Sequence, residues 1–173
     1  VYTQGITLEE EDDQYTAAKM LKAFLTADNL KYDAENRLEM AEAFVERYKI
    51  AGTIDSQEIV NISTAFYEYL KNNFVIKKVY RKYPLSLHLN DRIFERIIDL
   101  ILETEDGIVV IQNSGFSGGQ KGWPKKSKEL ADFLYLTEIA VKEIFNIQKV
   151  RSYVHFVLGA GLLEVKIQQK VIV

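Results

Sequence analysis

The chain of 173 residues contains no cysteine. Disulfides, thiol nucleophiles, cysteine-ligated zinc and iron–sulfur clusters are therefore excluded. Only two histidines are present, His88 and His155, too few for a histidine-rich metal site. Proline is equally scarce, at two residues. No stretch reaches the roughly 18 uninterrupted apolar residues of a membrane span, so no membrane partner is expected. No cleavable signal stands at the start. The chain opens on Val1 rather than methionine, from which an excised fragment of a longer protein is expected.

What is present is ordinary for a globular domain: 47% apolar and 27% charged residues, enough to bury a core. The net charge of −3 conceals an asymmetry. Residues 1–60 carry 6 basic and 13 acidic side chains, residues 61–173 carry 16 basic and 12 acidic. The later part tolerates a polyanion and the earlier part repels one.

Residues 1–14 include the run Glu9-Glu10-Glu11-Asp12-Asp13 and read as a solvated, poorly ordered acidic lead-in. Residues 15–173 then read as a single domain. From about Tyr15 to Asn29, Ala17, Met20, Leu21, Phe24 and Leu25 recur at helical spacing. Asp33 caps a second helix whose inner side is Leu38, Met40, Ala41, Phe44, Val45 and Tyr48; Gly52 closes it. Asp55 and Glu58 make a capping-box pattern before a third helix, to about Asn72. The helical part thus covers 15–72.

Beyond residue 73 the period changes to two. Leu85, Leu87 and Leu89 alternate with Ser86 and His88 over a strand at 78–89, Asn90-Asp91 suits a tight hairpin, and 92–103 is a second strand. A turn at Thr104–Gly107 leads to a third strand, Ile108 to Ile111. A glycine-rich loop, Gly115 to Gly122, precedes a long helix from Lys125 to Phe145, and two last strands are expected at 149–158 and 162–172. A meander followed by a helix requires a crossover, which places the strand around Tyr153 in a mixed sheet. The class is α+β.

Asp99 is the anomaly. It interrupts Ile97-Ile98-Asp99-Leu100-Ile101-Leu102, and a carboxylate in a buried strand must be paired, hydrogen-bonded or bound to a metal. Backbone amides or an arginine such as Arg96 would satisfy it structurally. A magnesium site would need further oxygen ligands from neighbouring strands and often a lysine.

The segment from Ile97 to Ile111, Ile97-Ile98-Asp99-Leu100-Ile101-Leu102-Glu103-Thr104-Glu105-Asp106-Gly107-Ile108-Val109-Val110-Ile111, resembles the RecB/AddA-type nuclease domain of the PD-(D/E)XK superfamily. There an aspartate strand, a turn and a strand ending in Asp-x-Lys succeed one another. The resemblance continues through Tyr80-Arg81-Lys82-Tyr83-Pro84-Leu85, Trp123, Glu129-Leu130, Tyr153-Val154-His155-Phe156 and Gly159-Ala160-Gly161-Leu162, covering most of residues 15–166. It implies a restriction-endonuclease-like mixed sheet, with three-strand meander, crossover helix and further strands. It also implies a place at the end of a UvrD-like, superfamily 1 helicase–nuclease, or in its partner subunit, acting in double-strand-break repair or recombination. A bacterial-type cytoplasmic setting is implied with it.

The departures bear on activity. The family's metal-binding histidine falls at Lys22, its acidic residue before the Pro-Leu strand at Lys82, and its Asp-x-Lys at Gln112-Asn113-Ser114. Its glycine ahead of the aspartate falls at Arg96, and its late Gln-x-x-x-Tyr at Glu129 and Phe133. Only Asp99 matches a catalytic position. Gln112 offers a neutral carbonyl, Lys22 and Lys82 bring cations, and Ser114 lacks the lysine's charge. No catalytic set is intact, and neither metal nor other cofactor is expected.

The loop 115–122 lacks the Lys-Ser/Thr that opens a P-loop helix. Lys121, Lys125, Lys126 and Lys128 beside Trp123, and Lys77, Lys78, Arg81 and Lys82, form two basic patches. Each suits weak contact with a DNA backbone, and equally a solvated surface. His155 reads as a hydrogen-bonded structural histidine. Three functions stay open. One is a catalytically degenerate nuclease-fold domain that guides DNA or docks on a helicase domain or partner subunit. Another is an active Mg2+- or Mn2+-dependent exonuclease in which Glu95, Glu103 or Glu105 supplies displaced ligands. The third is a protein-interaction module without a nucleic-acid role.

Overall fold

Three helices come first in the computed structural model, which describes residues 1–167. They are α1 (Glu11–Ala27), α2 (Ala34–Arg47) and α3 (Ser56–Asn73). Asp33 and Asp55 cap α2 and α3 as expected, accepting from the backbone N–H of Asn36 and Gln57 at 2.8 Å each. The acidic run is solvated as expected, Glu9 to Asp12 being exposed, but it is ordered where an irregular lead-in was expected. Glu11, Asp12 and Asp13 form the first turn of α1, where their charge meets the positive end of the helix dipole. The residues before them are pinned. The backbone N–H groups of Tyr2 and Ile6 donate to the carbonyls of Ala160 and Leu158, at 2.9 and 2.8 Å. A Cβ at Gly5 would lie 2.3 Å from the Leu158 oxygen, so only glycine permits this approach.

The strands are β1 (Ile76–Leu89), β2 (Arg92–Thr104), β3 (Gly107–Ser114), β4 (Val150–Phe156) and β5 (Gly161–Val165). Their order in one sheet is β1-β2-β3-β4-β5. The pairs β1–β2 and β2–β3 are antiparallel. Between β3 and β4, Ile108 N–H donates to the Lys149 carbonyl at 3.0 Å, and Val157 N–H to that of Ser114 at 3.3 Å. Both ends advance in the same direction, so this pair is parallel and the sheet is mixed. The α+β class and the crossover are thus as the residues dictate. Of the last expected strand, residues 168–172 lie outside the described part.

Asn90 and Asp91 both take positive φ, 47° and 63°, the geometry of a two-residue hairpin turn with right-handed twist. The expected long helix is two: α4 (Trp123–Lys128) and α5 (Ala131–Phe145). At the break, Glu129 and Leu130 donate to the carbonyls three residues back, Lys126 and Ser127, a tighter winding that ends α4. The buried positions Ser127 and Leu134 stand seven apart, a spacing an unbroken helix also produces. The periodicity therefore held no sign of the break.

By packing, the chain forms two compact units. One comprises residues 1–74, 113–121 and 155–162; the other comprises 75–112, 122–154 and the chain from Leu163. The first is centred on fully buried Met20, Leu21, Phe24, Ile59, Ile62 and Leu70. Within it Asp28, wholly buried, receives Arg37 at 3.0 and 2.7 Å and the Ser63 hydroxyl at 2.6 Å. The second is centred on Ile98, Ile101, Leu102, Ile108, Ile111 and Leu134. No helix among the described residues is long and apolar enough to cross a membrane.

Candidate functional site

In the second unit, strand register decides which side chains meet Asp99. Arg81 faces Leu100 and Tyr83 faces Ile98, which sets Lys82 opposite Asp99. On the other side Leu100 faces Ile111, so Gln112 stands one step further along, beside Asp99. Lys82, Asp99 and Gln112 thus form a row across β1, β2 and β3. The Lys82 ammonium makes an ion pair with the Asp99 carboxylate. The Gln112 Oε1 accepts from the Asp99 backbone N–H at 3.2 Å. The Asp99 side chain is 9% exposed and that of Lys82 45%, so the aspartate is sunk and the lysine reaches it from the solvent side.

Arg96, one of the partners considered for Asp99, does not pair with it. Residues three apart on a strand point to opposite faces. Its guanidinium lies 4.8 Å from the Phe94 ring centre and 5.8 Å from that of Phe133, and donates to the Glu95 carbonyl at 2.9 Å.

The two other candidate positions, Ser114 and Lys22, fall in the first unit. The Ser114 hydroxyl is buried and accepts from the Phe116 N–H at 3.2 Å. Lys22, on α1, brings its amine beside Gly115, where an added Cβ would be 3.4 Å from Nζ. Lys22 and Ser114 are therefore close along the chain's own path through Gly115, and the other three positions share a row in the second unit. Among the described residues no three histidine or acidic side chains converge as a metal-holding group.

The basic residues divide similarly. Lys121 belongs to the first unit; Lys77, Lys78, Arg81, Lys125, Lys126 and Lys128 belong to the second. Lys78 stands 4.8 Å over the Tyr80 ring, and Lys126 is paired with Glu129 at 2.7 Å. Trp123 is 4% exposed, so its ring packs inside and does not stand out as a stacking platform for a base.

His155 is the structural group the residues suggested. Its Nδ1 and Asn113 Oδ1 are 2.9 Å apart and its Nε2 is 2.8 Å from the Tyr2 hydroxyl. A neutral ring protonated on Nδ1 satisfies both contacts: the ring donates to Asn113 and accepts from Tyr2. Its ring stacks on Phe66, with centres 4.2 Å apart and planes 8° from parallel. Burial pulls its pKa down to about 3 and pushes that of Tyr2 up. Sequence reasoning missed both Tyr2 and the buried Asp28–Arg37 pair. A polar residue whose partner is 153 positions away leaves no local signal.

Comparison with known proteins found no matching family model and no matching curated protein.

Proposed function

We propose that the chain is a catalytically degenerate nuclease-fold domain of an ATP-dependent helicase–nuclease, in which it guides a DNA strand or docks a subunit during double-strand-break repair or recombination. The reading keeps the restriction-endonuclease-like architecture. It is supported by the succession of meander, crossover helix and parallel strand together with the run around Asp99. The single observation that carries the loss of catalysis is the ammonium of Lys82 seated on Asp99. A divalent cation wants anionic oxygens, and here the one carboxylate of the row is already paired with the Lys82 ammonium. Its other neighbour, Gln112, offers only a neutral oxygen and already uses it on the Asp99 backbone. No lysine remains at position 114 to stabilise charge on a phosphorane.

The test combines hydrolysis, metal and DNA. Purified protein with manganese is expected to leave single- and double-stranded DNA intact, and magnesium titration to show no saturable site that Asp99→Ala abolishes. Metal-dependent degradation that disappears in Asp99→Asn protein would establish the active exonuclease instead. Labelled single-stranded DNA should bind with a dissociation constant on the order of micromolar or weaker at low salt, falling steeply as salt rises. The triple variant Lys121→Glu/Lys125→Glu/Lys126→Glu should bind more weakly still. If neither protein binds, or both bind equally, the guiding role fails and the docking role stands.

A further inference from the structure

At the tip of the β1–β2 hairpin, in the second unit, lies an open groove of about 600 Å³. It is lined by Leu89, Arg92, Ile93, Phe94 and Arg96 with Leu136 of α5. Arg92, Phe94 and Arg96 alternate along one face of β2, so two guanidiniums flank an aromatic ring at the spacing a strand imposes. We propose that this groove docks a segment of a partner protein in which carboxylates alternate with apolar side chains.

Charge complementarity is the first argument. Both cations line the groove, none of the side chains beside them there is acidic, and no carboxylate among the described residues pairs with either arginine. Arg96 is also preorganised. Held over Phe94 and Phe133, with one N–H on the Glu95 carbonyl, it keeps further N–H groups for a carboxylate and surrenders little side-chain freedom on binding. The apolar lining is the second argument. Leu89, the cross-strand partner of Arg92 and so on its face, is 37% exposed, and Leu136 of α5 adds to the apolar lining. A sugar–phosphate chain has nothing to place on them, and the guanidinium of Arg96 occupies the ring face on which a base would stack. An acidic, apolar peptide satisfies both halves of the surface. The inference is independent of the nuclease-fold reading, and the absence or presence of hydrolysis leaves it unaffected.

The test uses the full chain with 15N-labelled arginine side chains. The probes are the peptide acetyl-Glu-Phe-Glu-Leu-Glu-amide, its counterpart with lysine for glutamate, and a 12-nucleotide oligothymidine. The glutamate peptide should shift the Nε signals of Arg92 and Arg96 saturably, and the lysine peptide should not. Arg92→Gln, which disturbs no ring contact, should weaken binding about tenfold, the size of one lost charge-assisted contact. No saturable shift at millimolar peptide, or equal binding of the lysine peptide, overturns the proposal. Displacement of the glutamate peptide by equimolar oligothymidine at the same arginines overturns it in favour of a nucleic-acid site.

Discussion

His155 has no exposed surface, and its two ring nitrogens are committed to Tyr2 and Asn113. Because burial disfavours the imidazolium, its folded pKa of about 3 lies below the unfolded value of 6.5. Between those values the unfolded chain binds a proton that the folded chain refuses. The neutral ring's contribution is therefore complete above pH 6.5 and is lost progressively as pH falls toward 3, by about 1.4 kcal/mol per unit at the steepest. Denaturant unfolding at pH 7 and 4.5 should show this loss. His155→Phe, which retains the stack on Phe66 but cannot titrate, should narrow the difference between the two pH values by roughly 2 kcal/mol. An unchanged difference would mean that the histidine charges in the folded state. At this scale Asp99 was legible, since a lone carboxylate in an apolar run announces itself. Its partner was legible only as a set of alternatives, Lys22, Lys82 or Arg96, because the choice among them rests on strand register and on which face each residue takes.

Among the described residues β1 is an outermost strand in the sheet order, fourteen residues long, and the edge it turns away from β2 is a template for unwanted pairing. Two features blunt it. Counting by twos from the hairpin-closing pair Leu89–Arg92 puts Pro84 at a position whose backbone faces away from β2. There the missing N–H costs no ladder bond and denies one to an incoming strand. Two residues earlier Lys82 adopts φ of 50°, which bends the edge. Pro84→Val should restore the donor and add an exposed β-branched side chain opposite Ile97, itself 59% exposed. Light scattering during storage at 37 °C should then rise with protein concentration faster than for the parent chain, with little change in melting temperature. An equal scattering rate would show that the edge is protected by something other than this proline. The existence and type of most elements were readable from period and caps. The break between α4 and α5 was not, because a one-step tightening of winding leaves the apolar spacing intact.

Across the whole molecule the chain passes repeatedly between the two packing units, and each unit is discontinuous in sequence. The first illustrates the consequence. Its helices α1, α2 and α3 all lie before residue 75, yet Phe66 packs on His155, and the backbone of Tyr2 and Ile6 is held by Ala160 and Leu158. A fragment of residues 1–74 keeps the Asp28–Arg37–Ser63 cluster and loses every contact supplied by residues 155–162. It should retain far-ultraviolet helicity while losing near-ultraviolet dichroism and binding ANS, the marks of a loosely packed state. A fragment with parent-like near-ultraviolet spectrum and a cooperative melt would show that the helices stand by themselves.

Composition, period and capping residues by themselves determined the α+β class, the three leading helices, the meander with its Asn90-Asp91 turn, and the exceptional status of Asp99. Those are local properties, set by neighbours within a few positions. Only tertiary structure decided that Lys82 and not Arg96 pairs with Asp99, that the acidic run opens a helix whose preceding residues are pinned to Leu158 and Ala160, and that Trp123 is buried. It also decided that Arg92 and Arg96 share a groove with Leu136, forty positions beyond Arg96. The physical reason is the same in each case. Which polar groups meet is fixed by register and packing between segments far apart in the chain, and the energy of those meetings leaves no imprint on the spacing within either segment.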